Sequence, residues 1–121
     1  MGIPLLICDD SAMARKQVAR SLPESWDVDI TFAINGLEGI QAIRDGLGEM
    51  VFLDLTMPEM DGYDVLQAIN DEGLKAVVIV ISGDIQPTAR ERVIQLGALD
   101  FIKKPINQEK LFDVLHHYGL I

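Results

Sequence analysis

Short apolar runs rich in β-branched residues alternate along this chain with segments of helical period, and that alternation leaves few folds open. The runs fall at 3–8, about 28–33, 50–54, 76–81 and 99–103. Runs of this length, bounded by polar residues, read as strands buried on both faces. Between them, apolar residues recur at the spacing of one helix face. Ala14, Val18 and Leu22 form one stripe, Leu37, Ile40 and Ile43 a second, and Val65, Leu66 and Ile69 a third. Ala89, Val93 and Leu96 form the next, and Leu111, Val114 and Leu115 the last.

Strands that are each followed by a helix predict an α/β chain: a doubly wound, five-stranded parallel sheet with helices on both faces. Local signals agree. Ser11 and Asn107 suit N-caps, Pro87 a first helical turn, Gly119 a C-terminal stop, and Asn35-Gly36 a turn before the second helix. At 121 residues the expectation is a single domain, 1–121, with no output domain in this chain.

Composition narrows the function. Nearly half of the residues are hydrophobic (49%), which excludes a disordered chain. The longest apolar stretch, Ala76 to Ile81, suits a strand and is too short to span a membrane. The N-terminus lacks the basic and long apolar regions of a signal peptide, so the expected location is the cytoplasm. Cys8 stands alone in an apolar run and reads as a buried small hydrophobe. A net charge of −9 argues against direct nucleic-acid binding and suits cations and basic protein partners.

In sheets of this kind ligands bind outside the carboxyl ends of the strands. The polar residues concentrate there: Asp9 and Asp10 after the first run, Asp54 after the third, Ser82 after the fourth and Lys104 after the fifth. Trp26 falls at the opposite edge and reads as a packing residue. Carboxylates at contact distance repel by roughly 4 kcal/mol per pair at an effective dielectric near 20. A raised pKa or a hard divalent cation relieves this, and oxygen ligands in a small site favour magnesium. The bland alternative is that each aspartate only complements a helix N-terminus. A carboxylate beside such a cation can attack phosphorus to give an acyl phosphate, with Lys104 offsetting the charge.

These residues carry a resemblance. Cys8-Asp9-Asp10-Ser11, Asp54-Leu55-Thr56-Met57-Pro58-Glu59-Met60-Asp61-Gly62, Ile81-Ser82-Gly83, Gly97-Ala98-Leu99-Asp100-Phe101 and Lys103-Lys104-Pro105 stand in order along almost the whole chain. The chain resembles the receiver domain of two-component response regulators, above all the single-domain chemotaxis type. The resemblance implies the flavodoxin-like strand order 2-1-3-4-5. It implies that Asp54 accepts a phosphoryl group from a sensor histidine kinase or a phosphotransfer protein. Asp10, Asp54 and the Thr56 carbonyl would hold Mg2+ (or Mn2+), with Asp9 helping through water. Ser82 and Phe101 would be the switch pair, and Lys104, followed by Pro105 in a commonly cis peptide, would pair with the phosphoryl group. Thr56, Gly83 and Asp84 would tune the lifetime of the phosphorylated state. The output surface would be the fourth helix, fifth strand and fifth helix, acting on a downstream target protein or on an output domain absent from this chain.

Rival readings are weaker. A phosphatase of the haloacid dehalogenase type needs a second acid two residues after its nucleophile, and that position is Thr56. A flavin module would set phosphate against Asp9 and Asp10. A degenerate receiver that only binds partners would not need the full set of Asp9, Asp10, Asp54, Ser82 and Lys104. The segment Glu109 to Tyr118 lacks the Arg-rich face of one DNA-binding receiver subfamily. His116 and His117 read as cations suiting a helix C-terminus. Arg90-Glu91-Arg92 reads as a solvated face.

Overall fold

The computed structural model describes residues 2–83 and 86–121. Strands and helices alternate throughout: β1 (Ile3–Cys8), α1 (Ala12–Ser21), β2 (Val28–Ala33), α2 (Gly36–Arg44), β3 (Met50–Leu53), α3 (Gly62–Glu72), β4 (Val77–Ser82), α4 (Pro87–Gln95), β5 (Asp100–Lys103) and α5 (Gln108–His117). The strands form one parallel sheet in the order β2-β1-β3-β4-β5. This is the flavodoxin-like arrangement expected from the sequence.

The strands read as unbroken apolar runs because both sheet faces are covered. Side chains alternate between faces along each strand. Leu6, Cys8, Val51, Leu53, Val78 and Val80 therefore pack on one side against Ile40, Ile43, Val65, Ile69 and Val93 of α2, α3 and α4. Leu5, Ile7, Phe52, Ile79 and Ile81 pack on the other, against Val18 and Leu22 and against Leu111 and Leu115 of α5. Trp26 joins this second layer with its ring edge-on to Phe52, so it is a packing residue as expected.

The caps follow the sequence signals. Ser11, Asn35 and Asn107 side chains each accept a first-turn backbone N–H, from Ala14, Glu38 and Lys110. Pro87 opens α4, and Gly119 takes a positive φ of 69° just past the α5 cap. Leu37 departs from expectation: it is 52% exposed rather than part of the buried α2 stripe. Close packing on that side comes instead from Gly39, where a Cβ would run into the Cys8 sulfur. No helix of the described residues is long and apolar enough to cross a membrane.

Candidate functional site at the strand ends

Strand order reverses at β1, which has β2 on one side and β3 on the other. Cys8 and Leu53 are register partners across β1 and β3, so the next residues, Asp9 and Asp54, are neighbours at the crevice. The Asp54 N–H donates to the Cys8 carbonyl at 2.9 Å and fixes that alignment. Ser82 closes β4 and is the register partner of Lys103. Lys104 follows, its backbone N–H donating to the Ser82 carbonyl at 2.8 Å, and the Lys104-Pro105 peptide is cis.

That backbone placement sets the two lysines apart. Lys103 is exposed, whereas Lys104 turns inward. Its ammonium donates to Asp9 Oδ2 at 2.9 Å and lies 3.4 Å from Asp54 Oδ1. The other Asp9 oxygen, Oδ1, accepts the Ser11 N–H at 2.9 Å. Asp9 and Asp54 are buried, at 4% and 6% exposure, while Asp10 beside them is exposed.

Burial pushes the Asp54 carboxyl up to about 6, and the Asp9 charge adds to the rise against the opposing pull of Lys104. Burial opposes the charge on Lys104, but the Asp9 and Asp54 carboxylates outweigh it and hold its pKa above the usual lysine value. One ammonium thus compensates two buried carboxylates only in part. Burial, then the charges of Asp9 and Asp54, push the Cys8 thiol up to about 12, which makes it inert.

One oxygen each from Asp9, Asp10 and Asp54 lies within 4.8 Å of the others. Oxygens that share one magnesium ion stand up to about 4 Å apart, twice a bond of roughly 2.1 Å. The trio therefore fits a small hard cation after small side-chain adjustments. A basic carboxylate beside a cation and an ammonium has the parts of a nucleophile toward phosphorus.

The remaining sequence-predicted residues surround this centre. Thr56 is exposed in the loop after Asp54, and Ser82 is buried at 1% exposure. Gly83 has open space where a side chain would project. Phe101 is half-buried against the layer formed by α2, α3 and α4. Asp84 lies outside the described residues.

Sequence reasoning missed several supports. Arg15 donates to the Asp9 carbonyl at 2.7 Å and braces the end of β1. Gly62 lets α3 start against β3: its N–H donates to Leu55 O at 3.0 Å, and a Cβ would collide with the Asp54 carbonyl oxygen. Arg90 is exposed, yet it pairs with Asp100 at 2.8 Å and donates to the Phe101 carbonyl at 3.1 Å. Tyr118 donates to the same Asp100 at 3.0 Å, so one buried carboxylate ties α4, β5 and the end of α5 together. Arg92 stacks over the Tyr63 ring at 3.7 Å. Arg90, Glu91 and Arg92 are all exposed, as the solvated-face reading expected, and Asp100, an acid inside an apolar strand, was the signal for the added pairing of Arg90.

A family model for the response regulator receiver domain matches residues 5–116. Among curated proteins, the chain is 30% identical to the chemotaxis protein CheY of Bacillus subtilis (strain 168), covering 96% of this chain and 97% of that protein. It is 38% identical to protein-glutamate methylesterase/protein-glutamine glutaminase 2 of Koribacter versatilis (strain Ellin345), over 85% of this chain but only 29% of the relative. The chain thus spans under a third of the methylesterase relatives it matches. Among solved structures, it superimposes with a TM-score of 0.83 and 29% identity on the CheX-CheY-BeF3-Mg+2 complex of Borrelia burgdorferi, covering 94% of this chain and 87% of that one.

Proposed function

The chain belongs to the response regulator receiver domain family, and we propose that it is a phosphoacceptor switch whose acceptor is Asp54. The observation that carries this reading is the pairing of buried Asp54 with Asp9 and Lys104 at the reversal of strand order. The donor is a phosphohistidine on a sensor histidine kinase or a phosphotransfer protein. An Asp54 carboxylate oxygen attacks phosphorus, the P–N bond breaks, and the imidazole leaves with its electron pair and takes up a proton. The product is an acyl phosphate on Asp54.

Asp9, Asp10, Asp54 and the Thr56 carbonyl would hold Mg2+, which supplies neutralising charge for the phosphoryl oxygens. Lys104 offsets the remaining charge from the other side. With its carboxyl raised to about 6, Asp54 is ionised at neutral pH and more basic than an ordinary aspartate.

Phosphorylation adds roughly 1.5 to 2 negative charges at a buried edge. The Ser82 hydroxyl then donates to a phosphoryl oxygen, and Phe101 moves inward into the space this frees. Phe101 follows Asp100 directly in β5, so its motion reaches α4 and α5 through Arg90 and Tyr118. The changed surface of α4, β5 and α5 acts on a downstream protein or an output domain. In this reading Thr56, Gly83 and Asp84 set the lifetime of the phosphorylated state. The chain acts as a switch rather than a turnover enzyme.

Intact mass after incubation with acetyl phosphate and Mg2+ tests this. Wild type gains one phosphoryl group, a chelator abolishes the gain, and Asp54→Asn gains none. If neither acetyl phosphate nor a phosphorylated kinase modifies the wild type, a partner-binding domain without phosphoryl chemistry takes its place.

A further inference from the structure

The bare edge of β2 carries an inference that is independent of Asp54 chemistry. Ile30 and Phe32 are register partners of Leu5 and Ile7, so they point to the sheet face covered by α1 and α5. Two helices are too few to cover five strands on that face. α1 packs over β1 through Val18 and Leu22, and α5 packs through Leu111 and Leu115 towards β5. The β2 stripe is left open: Ile30 is 42% and Phe32 49% exposed, as is Ile34 just past the strand at 48%.

The outward backbone groups of β2 itself have no strand partner among the described residues. Ile3 N–H donates to Asp27 O, and Asp9 N–H to Ala33 O, so odd-numbered residues of this segment face β1. Val28, Ile30 and Phe32 therefore turn their N–H and C=O groups outward. Natural edges guard such groups with lysine, proline or a bulge. Residues 28–34 contain neither lysine nor proline, and the one charge, Asp29, points to the opposite face from the stripe.

This strand is complementary to itself. Laid antiparallel to a second copy with the two-fold axis at Thr31, Ile30 meets Phe32 on either side of the axis. Thr31 meets Thr31, and Asp29 meets Ala33 rather than another acid; the ladder ends there, because the Ile34 N–H, just past β2, already donates to Glu38 Oε1 at 3.0 Å. Outward-pointing residues face outward-pointing residues, so each Ile30–Phe32 pair exchanges two backbone hydrogen bonds. The same pairs place an aromatic ring against a β-branched chain, a favourable cross-strand combination.

We propose that β2 is a self-association edge through which two copies of this chain pair antiparallel about Thr31, joining their sheets into one. The contact is a narrow strip, below the roughly 1,200 Å² of a standard stable interface, so the dimer is weak and depends on concentration.

Sedimentation equilibrium from micromolar to millimolar concentration tests this. The wild-type mass rises from 13.4 kDa towards twice that value. Phe32→Glu and Ile30→Lys stay monomeric while keeping wild-type circular dichroism, because both side chains are already half in water. The register is read by cross-linking. Facing Thr31 residues form a non-hydrogen-bonded pair with Cα atoms about 4.5 Å apart, within disulfide range. Thr31→Cys therefore links two chains under mild oxidation, and Asp29→Cys, on the same face but out of register, does not. Buried Cys8, at 1% exposure, gives no background. A wild type that stays monomeric at millimolar concentration overturns the proposal, as does a Phe32→Glu dimer or equal linking by both cysteines.

Discussion

Lys104 Nζ stands 3.4 Å from Asp54 Oδ1 and is closer still, at 2.9 Å, to Asp9. The lysine thus keeps two buried carboxylates side by side. Lys104→Met removes this compensation and leaves their repulsion unscreened. It should destabilise the protein by about 1–3 kcal/mol at pH 7, less than for a fully buried pair because the ammonium is partly exposed. Urea denaturation measures this, and an unchanged midpoint would mean that the bridge contributes nothing.

The raised Asp54 carboxyl has a defined pH signature. Its folded pKa of about 6 lies above the ordinary aspartate value near 3.8, so the folded protein holds this proton longer than the unfolded chain. Stability from this group is present at pH 4 and is lost as pH rises towards and through 6. Asp54→Asn stays neutral and escapes the loss. Without metal, the variant should exceed wild type by about 2 kcal/mol at pH 7.5, with the advantage shrinking towards pH 4. Chemical denaturation at the two pH values reads the difference, and an advantage that did not shrink would point to packing instead.

The acidic trio predicts cation-linked stability. Magnesium should raise the wild-type melting temperature, and a hundredfold excess over Kd corresponds to about 2.7 kcal/mol. Asp10 is exposed and free to reorient, so Asp10→Asn should fold normally yet need more magnesium for the same shift. A melting temperature insensitive to magnesium in wild type would remove the cation site.

The Asp100 cluster predicts a non-additive pair. Arg90→Ala and Tyr118→Phe each remove one partner of a buried carboxylate and should cost about 1 kcal/mol. Removing both leaves Asp100 with the Phe101 N–H, at 2.7 Å, as its remaining hydrogen-bond donor among the described residues. The double variant should therefore cost at least about 0.5 kcal/mol more than the sum. Simple additivity in a double-mutant cycle would show that the two contacts are independent.

Much of this architecture was legible from local pattern. A period near 3.6 or an unbroken apolar run is written in adjacent residues, so the elements and their order followed directly, as did the caps at Ser11 and Asn107. Leu37 escaped because helical spacing alone does not say where a buried stripe ends, and Gly39 took over the close contact. The partners of Arg90 escaped because they lie across α4 and β5, beyond the reach of any local window.

The sequence by itself determined the doubly wound α/β class and which residues end the strands, because each strand's last residue is set by its own apolar run. The tertiary structure alone decided that the Lys104 ammonium reaches both Asp9 and Asp54. It also decided that Asp9 is buried while Asp10 is exposed, and how far Ile30 and Phe32 of β2 stay open to solvent. Such facts depend on strand order and register, which bring together side chains that are remote in sequence: 95 residues separate Asp9 from Lys104. Their charges act on one another only once the sheet has placed them within a few ångströms and excluded water.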